Sequence, residues 1–242
     1  MTLHSKPALE TALSHRSIRK FTGEPISAEM LDAVLRAGQA ASTSSFLQTT
    51  HIVRVTDIEK RKQLRAVGSN QHYIETCAEF LVFCLDLAKH KKIDAEAQTD
   101  WTEMVLVGAI DAGIMAQNVL LTAESLGLGG VYIGSLRDNA RETNAILGLP
   151  EQVMPLFGMS LGHPAQDPLM RPRLPQECVV SENGYRPLDS DKLNAYNEVV
   201  RKYYQERSNL DLDWSQQVKN ALCHPIRPDI LPLLNEKGLA KR

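Results

Sequence analysis

The fold of this 242-residue chain is decided by Glu124-Ser125-Leu126-Gly127-Leu128-Gly129-Gly130-Val131-Tyr132-Ile133-Gly134. Its glycines could be mistaken for a dinucleotide-binding fingerprint, which requires a strand, then the glycines, then a helix. Here a helical pattern precedes the glycines, and a strand over 131–133 follows them. Because this order is reversed, we exclude a Rossmann-type nucleotide site.

The segment before these glycines has the pattern of one long buried helix. Apolar residues recur at helical spacing over 102–125, which predicts a rod of roughly 35 Å at a rise of about 1.5 Å per residue. Its apolar part contains Asp111, Gln117 and Asn118, which would be costly in a lipid bilayer. We therefore place this helix in a protein core rather than in a membrane.

A stripe of small residues runs along the same helix at four-residue spacing, through Gly108, Ala112 and Ala116. Such a stripe lets another helix approach closely. The approach is either within the subunit or across a dimer interface, and we favour the dimer.

Further helices and strands are predicted on both sides of this segment. Helical spacing predicts helices over 8–13, 28–38, 58–67, 139–147 and 189–207, with short helices near 215–222 and 229–234. Strands are predicted over 51–55, 80–85, 131–133 and 154–161. Prolines recur over 164–187 and predict an extended surface arm. We treat 1–242 as a single domain in which 189–242 forms a C-terminal helical excursion.

Composition argues against several classes of protein. Hydrophobic residues make up 43% and charged residues 23% of the chain, and the formal net charge of −2 argues against a general binder of nucleic acids or membrane surfaces. The four cysteines form no CxxC pair, so neither a disulfide framework nor a zinc site is indicated. No apolar stretch of signal-peptide length begins the chain, so we expect a cytoplasmic protein.

Two basic clusters indicate a phosphate-bearing ligand. The first is His15-Arg16-Ser17-Ile18-Arg19 and the second is Arg171-Pro172-Arg173. The guanidinium group presents a planar fork of donors that matches phosphate oxygens two at a time. A run of hydroxyls over 42–45 adds four further donors.

The sequence lacks the usual signals of side-chain catalysis. It contains no P-loop, HExxH or GxSxG motif. What remains is anion-binding arginine, the hydroxyl run, and glycines that let the backbone approach a flat ligand. This combination suits a bound redox cofactor that performs the chemistry itself.

Several separated motifs, which follow one another along nearly the whole chain, resemble the FMN-dependent nitroreductase superfamily. They lie at 15–22, 42–48, 116–118, 124–134, 155–158 and 171–175. Within that superfamily the chain is most similar to the oxygen-insensitive NADPH nitroreductases and NADPH-flavin oxidoreductases. The resemblance implies an α+β fold, in which helices surround a mostly antiparallel sheet, and an intertwined homodimer with FMN at each of two interface sites.

The resemblance also implies the residues that bind FMN. One subunit would supply His15, Arg16, Ser17, Arg19, Tyr132, Ile133, Gly134, Arg171 and Arg173, and the other would supply Thr43, Ser44, Ser45 and Gln71. In this arrangement Arg16, Arg171 and Arg173 neutralise the phosphate, because a guanidinium pairs well with it. The backbone at Gly134 can approach flavin N5 because no side chain intervenes. Arg19 is a candidate for the positive charge near the flavin pyrimidine edge.

The chain departs from the family pattern at a few positions. Arg171 stands where the family usually has Lys, and Thr43 replaces a Ser, so charge and hydroxyl are both kept. The loop after Arg207 is shorter and more acidic than usual, which leaves the preference between NADPH and NADH open. Arg19, Arg207 and Arg227 are the candidates for binding the nicotinamide nucleotide.

Glu103 matches a position that the family associates with flavin reactivity, but it could equally stabilise a helix dipole.

The implied activity is an FMN-dependent oxidoreductase that works by alternation. NADPH or NADH would deliver a hydride to flavin N5, and a nitroaromatic compound, quinone or related acceptor would then take two electrons from the same pocket. One alternative is a flavin reductase that supplies reduced FMN to a partner oxygenase or luciferase. The other is a non-catalytic FMN carrier.

Overall fold

The computed structural model describes residues 3–242 and contains a four-stranded antiparallel sheet in the order β1-β2-β4-β3. Its strands are β1 Thr50–Arg54, β2 Glu79–Asp86, β3 Gly129–Ile133 and β4 Val153–Gly162. The central strand β2 is buried at seven consecutive positions, 79–85, because helices cover both faces of the sheet. The α+β class and the antiparallel sheet predicted from the sequence are confirmed.

The helices are α1 Ala8–Leu13, α2 Ala28–Gln39, α3 Ile58–Val67, α4 Tyr73–Thr76, α5 Ala88–Ile93, α6 Thr102–Ser125, α7 Ala140–Leu147, α8 Ser190–Ser208, α9 Trp214–Leu222 and α10 Ile230–Glu236. Several begin at side chains that cap free backbone N–H groups. Ser27 accepts from the Met30 amide, and Asp57 and Asp189 cap α3 and α8 in the same way. The sequence did not predict α4 and α5, which are too short to show a helical period.

Helix α6 packs against β2 and α2 through its smallest residues. A Cβ atom at Gly108 would overlap the Leu85 side chain of β2, and one at Gly38 of α2 would overlap Val119 of α6. Gly108, Ala112 and Ala116 are therefore buried within one chain. We favoured a dimer contact for this stripe, but the structure uses it to bring the helix close to its own sheet and to α2.

Length and composition alone would also allow α6 to span a membrane. In the fold, however, one face of α6 lies in the apolar cluster formed with β2, β4 and α2, through residues such as Met115, Val119 and Leu120. Asp111, the charged residue in its middle, is buried, and each of its carboxylate oxygens accepts a hydrogen bond. This position fits the core helix expected from the sequence.

The contacts divide the chain into two compact units. The first is formed by the chain up to Pro168 together with Arg227–Arg242, and it contains the sheet, α1 to α7 and α10. The second is Leu169–Ile226, in which Tyr196 of α8 packs edge-on against Trp214 of α9 with 5.6 Å between ring centroids. The assignment of a single domain with an arm over 164–187 stays a prediction.

Candidate functional site

The first basic cluster is fixed alongside strand β3. The Ile18 amide donates to the Gly130 carbonyl at 3.0 Å, and the Ala165 amide donates to the Lys20 carbonyl at 2.9 Å. Ile18 is buried, whereas Arg19 is exposed. The backbone of 15–20 thus runs beside the strand that ends at Gly134, and the structure brings these two predicted parts of the site together.

His15 is held by a carboxylate that sequence reasoning did not assign to the site. Its Nδ1 lies 2.6 Å from Oε1 of Glu124, whose side chain is only 11% exposed. Because a carboxylate accepts, Nδ1 is the donor and the imidazole orientation is set. Burial is the larger cause that raises the pKa of Tyr132 to about 12, and the negative charge of Glu124 adds to it. The Tyr132 hydroxyl stays protonated and donates to Gln117 Oε1 at 3.2 Å.

Arg16 has one terminal nitrogen in an ion pair and one buried donor without a partner. The terminal nitrogen Nη1 contacts Asp167, whose carboxylate is mostly exposed. The buried Nε has no hydrogen-bond partner among residues 3–242. A buried guanidinium N–H without a partner is costly, so Arg16 offers a donor to an anionic ligand.

Gly134 opens a short 3-10 turn, Gly134–Arg137, directly after β3. A Cβ atom at Gly134 would lie 3.7 Å from Nη2 of Arg137 and 3.9 Å from Nη2 of Arg227. Burial, and then the neighbouring charge of Arg227, lower the pKa of Arg137. Arg227 Nε donates to Asp138 at 2.8 Å. From the sequence we proposed Arg227 for the site but missed Arg137. The signal for Arg137 was its position, because it is a basic residue one turn after Gly134.

The loop that carries Gln71 lies against this turn in the same chain. Ser135 Oγ donates to the Gly68 carbonyl at 2.9 Å, and Ser69 Oγ donates to Asp138 at 2.8 Å. Oε1 of Gln71 is buried without a partner among the described residues. The loop that carries Gln71 therefore packs on the turn that begins at Gly134 in the same chain. The assignment of these two residues to different subunits stays a prediction.

The predicted hydroxyl run forms a strained loop over 43–49. Ser45, Phe46 and Gln48 have positive φ angles of 47°, 57° and 53°, in the left-handed region that non-glycine residues rarely adopt. Thr43 is half-buried, while Ser44 and Ser45 are exposed. The donors of this loop therefore face away from the core of their own chain.

In the second unit, Arg171 and Arg173 lie on the extended arm. Arg171 Nη2 contacts the Tyr204 hydroxyl at 3.3 Å, and Arg173 donates to the Arg171 carbonyl at 3.0 Å. The Tyr196 hydroxyl donates to the carbonyl of Pro172 at 3.2 Å and fixes the arm against α8.

The acidic loop after Arg207 is partly neutralised within the same unit. Asp211 and Asp213 both form ion pairs with Arg201, at 3.1 and 2.7 Å, and Asp213 also caps α9. The Arg207 guanidinium lies 5.8 Å from the ring centroid of Tyr203. The two carboxylates therefore repel a nearby anion less than the sequence suggested.

Glu103 is exposed in the first turn of α6, where a negative charge stabilises the helix dipole.

Comparison with known proteins identifies the class to which this site belongs. The pattern described as "Nitroreductase family" matches residues 12–163, and that of the "Nitroreductase family, C-terminal domain" matches residues 171–242. The chain therefore belongs to the nitroreductase family, as its motifs predicted.

Individual relatives agree over almost the full length. The chain is 54% identical to the NADPH-flavin oxidoreductase of Vibrio harveyi, over 97% of this chain and 98% of the relative. It is 44% identical to the oxygen-insensitive NADPH nitroreductase of Salmonella typhimurium, over 98% and 99%. The solved structure of the NADPH:FMN oxidoreductase from Vibrio harveyi in complex with NAD+ superposes with a TM-score of 0.92 at 53% identity, covering 97% of this chain and 99% of that one. The fold is that of these enzymes.

Proposed function

We propose that this chain is an FMN-dependent oxidoreductase that uses NADPH as its reductant and reduces nitroaromatics, quinones or free flavin. One observation carries the proposal: the basic segment 15–19, fixed beside β3, and the turn at Gly134 leave buried polar atoms without partners. Arg16 Nε is a donor and Gln71 Oε1 is an acceptor. FMN offers phosphate oxygens to the first and a ring N–H to the second, so these residues fit the cofactor.

The residues of the first unit that would hold FMN are His15, Arg16, Ser17, Arg19, Gln71, Tyr132, Ile133 and Gly134. Arg16 would pair with phosphate through the Nε that burial leaves unsatisfied. Glu124 would keep His15 oriented, and the absent side chain of Gly134 would leave room for the flavin ring. From the second unit, the family resemblance assigns Arg171 and Arg173 to the phosphate.

When bound, FMN supplies the redox chemistry, which is acceptance of a hydride from the reduced nicotinamide at N5 and transfer of two electrons to the acceptor. The protein then needs no catalytic side chain, since solvent supplies protons at an open site. The family resemblance assigns the nicotinamide nucleotide to Arg19, Arg207 and Arg227. Arg227 lies close to Gly134 in the structure.

A homodimer in the cytoplasm completes the proposal. Leu106, Ile110 and Ile114 expose 53%, 60% and 42% of their surfaces on one face of α6. A row of large apolar side chains on a long helix is typical of a protein interface. A second copy of the chain would cover this row and would bring the exposed hydroxyls of the 43–45 segment to the FMN of its partner.

A stopped-flow experiment tests the function. Purified yellow protein is mixed anaerobically with NADPH or NADH, and then with a nitroaromatic compound, a quinone or free FMN. We expect the absorbance of oxidised flavin to disappear with NADPH and to return with the acceptors. Faster turnover of free FMN than of the other acceptors would assign the flavin reductase role. Bound flavin that neither nucleotide reduces would contradict the proposal and favour a carrier.

Arg19→Ala tests one assigned residue within this scheme. We expect the variant to retain less FMN or to reduce it about tenfold more slowly, because a charge-assisted contact contributes about 1.5–3 kcal/mol. Lys20→Ala is the matched control, since Lys20 is the adjacent exposed cation and is assigned no role. Unchanged flavin content and unchanged hydride-transfer kinetics in Arg19→Ala would refute the assignment.

A further inference from the structure

We propose that Asp111 is a positioning residue that holds the hydroxyl loop, Thr43–Thr49, in the conformation that receives FMN. The inference rests on the proposed function, since it concerns how one part of the flavin site is built. Asp111 belongs to α6, and its side chain is buried, with only 2% of the residue exposed. The sequence indicated only that this carboxylate was unsuited to a membrane.

The carboxylate of Asp111 joins the two ends of the loop. Oδ1 accepts from the Ser44 amide at 3.0 Å, and Oδ2 accepts from the Thr49 hydroxyl at 2.9 Å. Thr49 is itself fully buried and lies immediately before β1. One side chain thus fixes a residue near the start of the loop and the residue that precedes the sheet.

The middle of the loop requires such a constraint because its backbone is unfavourable. The left-handed residues Ser45, Phe46 and Gln48 fall within four positions, and non-glycine residues keep this conformation only when the surrounding structure imposes it. Besides the backbone hydrogen bonds inside the loop, two contacts that involve side chains assist. His90 Nε2 donates to the Leu47 carbonyl at 2.7 Å, and the Gln48 amide donates to Thr43 Oγ1 at 3.3 Å. The hydrogen bond between Gln48 and Thr43 also links the two ends of the loop, but it is exposed to solvent. The two bonds of Asp111 are shorter and more buried, so they constrain the loop more strongly.

The role of Asp111 is not that of an ion-pair partner. No Lys, Arg or His side chain in the described part of the chain pairs with it, and its carboxylate accepts hydrogen bonds from the amide and the hydroxyl of the loop. A buried carboxylate is costly unless hydrogen bonds satisfy it. Here the hydrogen bonds that satisfy it are the ones that shape the loop, which presents the hydroxyls of Thr43, Ser44 and Ser45.

A loop that is fixed in advance predicts how substitutions of Asp111 change the affinity for FMN. If the loop is fixed before FMN arrives, binding does not have to order it, and removing the constraint transfers that ordering cost to the binding step. Asp111→Ala leaves the Ser44 amide and the Thr49 hydroxyl without an acceptor. Asp111→Asn keeps the shape and one carbonyl oxygen for the Ser44 amide, while its NH2 group can donate to the Thr49 hydroxyl.

The experiment compares four variants with the wild-type protein: Asp111→Ala, Asp111→Asn, Thr49→Val and Val119→Ala. The Kd of FMN is measured by flavin fluorescence, and hydrogen exchange of 43–49 is measured on the FMN-free protein. Val119 is buried on the same helix, in an apolar cluster that includes no residue of 43–49, so Val119→Ala controls for general loss of core stability. Thr49→Val removes one of the two hydrogen bonds without leaving a cavity. If Asp111→Ala fails to fold, Thr49→Val still tests whether these hydrogen bonds support FMN binding.

We expect Asp111→Ala to raise the Kd of FMN about tenfold and to speed exchange of 43–49, because leaving a buried donor unsatisfied costs about 1–3 kcal/mol and 1.4 kcal/mol is tenfold. Thr49→Val should raise it about threefold. Asp111→Asn and Val119→Ala should stay within about twofold of wild type, although Val119→Ala lowers the melting temperature.

Equal Kd values in Asp111→Ala and Val119→Ala, together with equal exchange of 43–49, would overturn the inference. So would an Asp111→Asn variant as weak as Asp111→Ala, because the charge rather than the hydrogen bonds would then matter. If the wild-type protein bound no FMN, the proposed function would fail. Exchange of 43–49 would still report whether Asp111 holds the loop.

Discussion

The two long faces of α6 differ in the size of their residues and in what covers them. One face carries Gly108, Ala112 and Ala116, which are buried against β2 and α2 of the same chain. The other carries Leu106, Ile110 and Ile114, which are largely exposed. The close approach at Gly108 therefore marks where the chain packs on its own sheet, and the row of exposed large apolar residues marks where it lacks a partner.

This contrast explains why the stripe of small residues was misassigned. Close spacing of Gly and Ala signals a close approach but does not say which element approaches. A large apolar side chain that stays exposed after folding is the better indicator of a subunit interface, because burying it contributes about 1.5–3 kcal/mol.

The largest effect is expected from filling the buried face. Gly108→Val places a branched side chain where even a Cβ atom would overlap Leu85, so β2 and α6 would have to separate. We expect a loss of about 3 kcal/mol of unfolding free energy or no folded protein, measured by denaturant titration.

Gly113→Ala is the control for this prediction. A Cβ atom at Gly113 would meet nothing within 4 Å, although it lies on the same helix. Alanine should stabilise the helix by up to about 1 kcal/mol through its higher propensity. If both glycine variants behaved alike, the buried face would not be the constraint that the packing indicates.

The exposed face provides the second prediction. Ile110→Glu should weaken dimerisation about 100-fold, because a charge placed in an apolar interface and the loss of an apolar anchor together cost about 3 kcal/mol. Sedimentation velocity would detect the monomer, and FMN content should fall with it. The same change at Ile93, which is exposed on α5, is the control and should leave the dimer intact. A dimer that survives Ile110→Glu would place the interface elsewhere.

Much of the fold could be predicted from the sequence because local signals agreed with the tertiary structure. The bounds of α3 and α6 and the positions of all four strands follow from the spacing of apolar residues. The short helices α4 and α5 have too few residues to display a period. The order of the sheet also depends on long-range pairing, which a local pattern does not encode.

The candidate site was predictable only where its residues cluster in sequence. His15, Arg16 and Arg19 are adjacent and share one chemistry, so they were identified directly. Their supporting residues are distant in sequence, since Glu124 lies 109 positions from His15 and Asp111 lies 67 positions from Ser44. In the sequence both are carboxylates on the apolar helix α6, and only the fold shows which group each one binds. The NADPH contacts proposed for Arg207 stay a prediction.

The smallest effect concerns Glu103, which lies in the first turn of α6. Its two interpretations make different predictions for Glu103→Gln. A carboxylate that only stabilises the helix dipole contributes about 0.3–1 kcal/mol, so the substitution should lower the melting temperature slightly and leave flavin reduction by NADPH unchanged. A role in flavin reactivity would instead change the rate of hydride transfer at constant stability. We expect the first result, because Glu103 is exposed in the first turn of α6, where a negative charge stabilises the helix dipole. Raising the salt concentration should remove the difference between the two proteins, since screening weakens the interaction of an exposed charge with a helix terminus.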